Sequence, residues 1–414
     1  MKLTKLQVSN LRGFSKLREF KFHDHFNIIA GINGVGKTTV LDCLATMLSR
    51  VMPEITPALA GQRRFENTDI AIGSTAGLTT ILQFEVGGIS LEYSITKQKD
   101  SRGMNEVHGV WSAFREVARM FKAIDLPPNS QNRPVAVYYT TDRAVYRKPS
   151  PTKGSLGQRG AYKGALINKT VDFGTFLHWF RARTKLASEA RRESPQYAGD
   201  PQLKAVDTAI QTFLTAFKNL ELQPEPLNIL VEKNGKKLGL AQLSDGERGL
   251  LALVVDLTRR VAMANPKDDN PLEGATGVVL IDELELHLHP GWQRQAVDKL
   301  RATFPKMQFI ATTHSPQIIG QTPAESLIML TEKDILTVHQ SLGMDSNWVL
   351  RNLMAAAERS PEVTAALKEI DRLTDAEDYV AAKRKIAEVE EKYGAFPELD
   401  SARAVIERIQ LLSQ

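Results

Sequence analysis

Gly31, Gly36, Lys37 and Thr38 fit the spacing G-x-x-x-x-G-K-[ST], with Gly34 inside the loop. Glycines let backbone N–H groups curl around phosphate oxygens, and a helix N-terminus adds partial positive charge. The lysine reaches the β- and γ-phosphates, and the threonine hydroxyl ligates Mg²⁺. Far downstream, the apolar run Val278–Ile281 ends in Asp282 and Glu283. A buried parallel strand delivers such a pair to a nucleotide crevice. Asp282 is then placed to hold Mg²⁺ through water, and Glu283 to take a proton from, or orient, an attacking water. Ser244, Gly246 and Glu247 open an apolar helix carrying Leu250, Leu251, Leu253, Val254 and Leu257. Serine and glycine at a helix start make an anion site. The run Phe309–Thr313 precedes His314, and a histidine there can hydrogen-bond a γ-phosphate. His287 and His289 lack a third ligand in sequence range and a cysteine partner, so a loop facing a second copy is favoured over a metal pair.

The elements that must position these groups are legible from periodicity. Residues 2–8 alternate as a strand, and Phe26–Ala30 is a short buried strand before the glycine loop. Val40, Leu41, Leu44 and Met47 have helical spacing after it. Leu78–Val86 and Ile89–Ile95 flank Gly87 and Gly88 as a hairpin. Val135–Tyr139 is a further strand, and residues 147–170, rich in Pro, Gly, Ser and Lys, predict a long loop or mobile insertion. Leu203, Val206, Ile210, Leu214, Phe217 and Leu220 predict one amphipathic helix entered through Asp200 and Pro201. A second hairpin turns at Asn234 and Gly235. Beyond residue 360 three helices are predicted: one from Ser360 and Pro361, one from a capping box at Thr374 and Glu377 that Gly394 can end, and one from Pro397.

At 414 residues, 42% hydrophobic and 24% charged, the chain has the composition of a globular protein of two or three units. The single cysteine, Cys43, excludes an internal disulfide framework and a multi-cysteine zinc site, and fits a cytoplasmic location. The longest apolar stretch, Leu250–Val255, is far short of the ~20 residues of a membrane helix. Residues 1–14 lack the apolar core of a signal peptide. Charge is uneven. Residues 143–192 hold twelve Lys/Arg and two Asp/Glu, whereas 361–414 hold eight and twelve. A basic middle fits nucleic acid and an acidic tail fits a protein partner.

Taken in order, these motifs resemble the ABC-type ATPase head shared by SMC and RecF proteins, over about residues 1–340. The implied fold class is α/β: a mixed sheet plus an antiparallel β subdomain around a P-loop, with a helical insertion and a C-terminal helical module. The resemblance implies ATP and Mg²⁺ as cofactors. Nucleotide binding would fall to Asn33, Gly34, Gly36, Lys37, Thr38 and Thr39, and metal binding to Thr38 and Asp282. Glu283 would be the catalytic glutamate and His314 the switch histidine. Ser244, Gly246 and Glu247 would contact ATP held by a second copy, giving a head-to-head homodimer. Arg12, in the segment Asn10–Phe14, would approach the nucleotide. Two positions depart from the family pattern. Asp245 stands where the signature usually has glycine, and Thr140–Arg143 stands where a glutamine usually follows the strand, so that Asp142 or a threonine substitutes for it or the water is held differently.

The finer resemblance is to PtuA-type ATPases of Septu and related retron defence systems, carried by Leu243–Leu253, Asp282–Pro290 and Glu369–Tyr379. It implies an HNH endonuclease subunit as partner and, in retron-linked systems, a reverse transcriptase with its msDNA. No heptads support a coiled-coil arm, and no Toprim-like or HNH segment follows His314, so DNA cutting is expected of another chain. The expected organisation is an N-terminal ATPase lobe over 1–142, a basic loop and helical insertion over 143–226, a C-terminal ATPase lobe over 227–345, and a partner-docking tail over 346–414. DNA is expected on 143–192, and no membrane is involved. The rival reading is a RecF-like DNA-repair ATPase without a nuclease.

Overall fold

A short apolar run without alternation has to be covered on both faces, and five such runs meet in one sheet. The computed structural model describes residues 1–56, 58, 63–98, 106–109, 133–144, 157–167, 171, 173–223, 228–354 and 359–412. In chain order the strands are β1 (Lys2–Ser9), β2 (Arg18–Lys21), β3 (Phe26–Ala30), β4 (Leu78–Val86), β5 (Ile89–Lys97), β6 (Glu106–Gly109) and β7 (Val135–Tyr139). They continue with β8 (Phe217–Gln223), β9 (Asn228–Lys233), β10 (Lys236–Gly239), β11 (Gly277–Ile281), β12 (Met307–Thr313), β13 (Leu327–Leu330) and β14 (Ile335–Leu336). The fold is α/β, with three sheets. A six-stranded sheet has the order β14-β13-β3-β12-β11-β7, in which only β14 runs antiparallel to its neighbour. Strands β3, β7, β11, β12 and β13 are buried at every residue. A five-stranded antiparallel sheet, β2-β1-β4-β5-β6, and a three-stranded sheet, β10-β9-β8, complete the strands.

Helix α1 (Lys37–Ile55) lies against β7, β11 and β12 of the parallel sheet and β4 of the antiparallel one. Its Leu41, Leu44, Met47, Leu48 and Val51 are therefore fully buried. Gln308 ties the same two sheets together: its amide accepts from the Leu3 N–H at 2.7 Å and donates to the Leu3 carbonyl at 2.8 Å. The β4–β5 turn is made by Gly87 and Gly88 at φ +60° and +80°, the left-handed pair that a two-residue hairpin turn demands.

The chain divides into two compact units, Met1–Ser346 and Asn347–Gln414. In the second, helices over Pro361–Asp375, Tyr379–Tyr393 and Pro397–Leu412 pack around Ile370, Ala382, Ile386, Val389, Leu399 and Ile406.

Three sequence expectations are corrected. The helix predicted over 203–220 stops at Phe213 as α3 (Pro201–Phe213), α2 being Phe173–Glu193. Phe217 instead enters β8, where pairing with β9 wins over a helical period that continues by coincidence. The capping box at Thr374 does not form. The Thr374 hydroxyl donates to the Ile370 carbonyl inside the first tail helix, and Asp378 caps the next by accepting from the Ala381 N–H at 3.0 Å. Within the expected loop 147–170, residues 157–167 pack as turns against the core. Ala161, Ala165 and Leu166 are buried, and the Ala165 carbonyl accepts from the β7 residue Tyr138 at 2.8 Å. Residues 145–156 and 168–170 lie outside the described residues.

Candidate active site

Helix α4 (Asp245–Ala264) and helix α5 (Pro290–Thr303) join α1 and the parallel sheet in positioning the motifs. The loop between β3 and α1 contains Gly31, Gly34 and Gly36 at φ +152°, +85° and +100°. An added Cβ on Gly31 would run into the Leu330 carbonyl, and one on Gly36 would meet Phe14 Cζ at 2.6 Å. Glycine is required at both positions by close approach as well as by φ. Gly34 faces open space. Asn33 and Gly34 are exposed, whereas Lys37 is buried, with Thr38 and Thr39 behind it at the start of α1.

The Lys37 ammonium donates to the Gly31 and Ile32 carbonyls, each at 2.9 Å, and lies 3.4 Å from His314 Nδ1. Burial pulls its pKa down, opposed by Glu285, Asp282 and Glu283. His314 is also pushed below the ordinary imidazole range, by burial and then by the charge of Lys37, so the ring is neutral at neutral pH. The Thr38 hydroxyl is 3.1 Å from both carboxylate oxygens of Asp282, and the Thr312 hydroxyl donates to one of them at 2.6 Å. A hydroxyl and a carboxylate side by side are the hard oxygen donors that Mg²⁺ takes. The structure therefore brings together Lys37, Thr38, Asp282, Glu283 and His314, from the ends of three adjacent parallel strands.

Several participants are not marked by any motif. Glu285 accepts from the Thr313 hydroxyl at 2.7 Å and from the His314 N–H, clamping the end of β12. In the sequence it lies within the run Asp282–Pro290, two residues after Glu283, with no role of its own marked. Thr312 also accepts from the Glu283 N–H at 2.8 Å. In the segment Thr140–Arg143, where Asp142 or a threonine was expected to substitute for the missing glutamine or the water to be held differently, the side chain of Arg143 is buried. It donates to the main-chain carbonyls of Asp282 and Glu283, the latter at 2.6 Å. Burial lowers its pKa to about 10, so it stays charged at neutral pH. Arg143 is thereby removed from the expected nucleic-acid surface.

Ser244 caps α4 in a full capping box. Its N–H and hydroxyl both donate to Glu247, at 3.1 and 3.0 Å, and its oxygen accepts from the Glu247 N–H at 3.4 Å. Lys233 pairs with Glu247. Burial opposes ionisation of Glu247, but the bonds from Lys233 and Ser244 hold its carboxyl below the usual range. Gly246 packs on the His287 carbonyl so closely that a Cβ would collide with it. Asp245, the residue in place of glycine, pairs with Arg248. His289 caps α5 by accepting from the Gly291 N–H at 3.2 Å. Deeper in α4, the buried Asp256 accepts from Arg259 and Arg260, each at 2.7 Å, and from Tyr139 at 3.0 Å, joining the signature helix to β7. Burial raises the Asp256 pKa, but the two guanidiniums win and hold it ionised. The structure places Arg12 on Asp69 at 2.8 Å and Asp42 at 2.9 Å, while Phe14 of the same segment supports the loop at Gly36.

A glycine loop before a helix, a paired carboxylate strand end and a histidine at the end of the neighbouring strand, all on one parallel sheet, give the chain the SMC-head fold. The crystal structure of the SmcHead bound to the C-winged helix domain of ScpA matches at a TM-score of 0.50 and 14% identity, over 83% of this chain and 99% of that one. An AAA domain model matches residues 5–234, more than half of the chain, and the protein belongs to that family. A second AAA domain model matches residues 165–320. The chain is similar to the Retron Ec83 probable ATPase of Escherichia coli, 28% identical over 92% of this chain and 81% of that protein. It is also similar to the Septu protein PtuA of Bacillus thuringiensis, 23% identical over 91% of this chain and 90% of that one. It is an ATPase, and these relatives place it among the ATPases of retron and Septu defence systems. Among the described residues no helix is long and apolar enough to cross a membrane.

Proposed function

We propose that the protein binds ATP·Mg²⁺ at the end of β3, closes head-to-head on a second copy across the nucleotide, and through that closure licenses an HNH nuclease subunit in anti-phage defence. The observation that carries this reading is the convergence of Lys37, Thr38, Asp282, Glu283 and His314 at one end of the parallel sheet. Asn33, Gly34, Gly36 and Thr39 frame the phosphates. Thr38 and Asp282 would hold Mg²⁺, which supplies charge neutralisation on the phosphate oxygens. Lys37 trades its loop carbonyls for phosphate, Glu283 handles the attacking water, and His314 reads the γ-phosphate. Ser244 and Gly246 act on the second copy's nucleotide, with Glu247 fixing their turn. Asp245, drawn to Arg248, is turned to a cation instead of adding a free carboxylate to that contact.

The HNH subunit is assigned to the acidic helical unit rather than to the head. That unit has its own apolar core, and every candidate nucleotide-site residue belongs to the other unit. Its excess of Asp/Glu complements a basic nucleic-acid enzyme. Deleting the residues after Arg359 is expected to leave ATP binding and dimerisation near normal. Co-purification with the HNH subunit and phage protection should both be lost. A truncated protein that still retains the nuclease, or that does not fold, would overturn the assignment.

DNA is the proposed second ligand, on α2. Arg181, Arg191 and Arg192 are exposed there, while Arg183 is tied to the buried Asp200. Reversing the three exposed arginines to Glu should lower DNA affinity about tenfold or more at low salt and flatten its salt dependence, with basal ATPase unchanged. Equal affinity and salt slope in wild type and variant would return α2 to the status of a solvated surface.

A further inference from the structure

Arg143 is a charged side chain inside the head, 6% exposed, in the turn after β7. It shares the lining of one cavity with Leu250, Leu253, Leu284 and Leu286. A cation is not placed among leucines without partners, and among the described residues its hydrogen-bond partners are main-chain carbonyls. Nη1 donates to Asp282 and, at 3.1 Å, to Thr140; Nη2 donates to Glu283 at 2.6 Å.

Two of those carbonyls belong to consecutive residues, the carboxylate pair itself. Glu283 has φ +48°, a left-handed conformation that a side chain of this kind rarely adopts. Its N–H is held by the Thr312 hydroxyl at 2.8 Å, its carbonyl by Arg143 and also by the Leu286 N–H at 2.9 Å. The conformation is thus pinned from both sides, by β12 and by the turn after β7. Strained backbone persists where its surroundings over-determine it.

We infer that Arg143 is a positioning residue for hydrolysis: its guanidinium fork holds the Asp282–Glu283 carbonyls, keeps Glu283 left-handed, and so sets where the Glu283 carboxylate meets water. A fork is required because the two acceptors diverge from one point. A lysine is a single compact charge that cannot span them in fixed geometry. The inference rests on the reading of Glu283 as the water-handling residue.

The test compares ATP turnover and nucleotide affinity in the wild type, Arg143→Lys, Arg143→Ala and Glu283→Gln. Arg143→Lys should fold normally and lose about tenfold or more in kcat with KM for ATP within about threefold, because misplacement of a catalytic group is read in turnover. Arg143→Ala should lose more, about 100-fold, and regain part of it with millimolar ethylguanidinium. Should Arg143→Ala not fold, Arg143→Lys decides alone. Wild-type kcat in Arg143→Lys, a KM that rises as much as kcat falls, or failure of both variants to fold would overturn the inference. Glu283→Gln separates the two claims. If it hydrolyses ATP normally, the reading of the site fails. If it is inactive while Arg143→Lys is not, only the role of Arg143 fails.

Discussion

Replacing Glu283 with Gln is expected to lower ATP turnover by about 10²- to 10⁴-fold while leaving nucleotide affinity within a few-fold of wild type. The substitution keeps shape and main-chain bonding. The Glu283 N–H still donates to Thr312, and its carbonyl still accepts from Arg143. What is lost is the ability to take a proton. ATP then persists, and two 46.0 kDa chains should remain associated as long as nucleotide and Mg²⁺ are present. Single-turnover hydrolysis and light scattering on the same sample check both parts. Equal turnover in the two proteins would remove Glu283 from the chemistry. Lost turnover with monomers only would keep the chemistry and remove the sandwich.

The Lys37→Ala protein should lose ATP affinity by about 100-fold, the scale set by removing a charge-assisted contact from a buried site. Two things disappear together. One is the cation meant for the phosphates. The other is the donor that satisfies the Gly31 and Ile32 carbonyls, each at 2.9 Å. Loss of the second would loosen the loop even without nucleotide, so thermal unfolding belongs beside the binding measurement. A variant that melts like wild type and does not bind assigns the loss to the phosphates. A variant that binds ATP as tightly as wild type would rule out Lys37 as a phosphate ligand.

Residues that act through local pattern were legible in the chain. A glycine loop between an apolar run and a helical period is a short-range signal, and β3, the loop and α1 stand where it puts them. The same holds for β11 before Asp282 and β12 before His314, because a strand buried on both faces needs an unbroken apolar run. The expected head fold is what the resemblance carried by those motifs implies. Local signals misled where two patterns overlap. Phe217 satisfies a helical step and a strand pairing equally well, and only the presence of β9 decides. Thr374 and Glu377 have capping-box spacing, but the first tail helix runs past Thr374 and Asp378 caps the next one.

What the sequence by itself determined is the set of candidate groups: which residue types are expected at phosphate, metal and water, and on which kind of element each stands. What only the tertiary structure decided is what holds them. Arg143 reads in the chain as one more cation of a basic segment. In the fold it is 6% exposed and donates across 140 positions to Glu283. Thr312 and Glu285 have no motif of their own, yet one pins Asp282 and Glu283 and the other fixes the His314 backbone. Periodicity reports burial along one element, and a motif reports chemistry within a few residues. Neither carries information about which distant strand end lies alongside. That is set by the order of strands in the sheet, and here β11 lies between β7 and β12. The carboxylate pair is therefore gripped from both flanks by residues that no local rule connects to it.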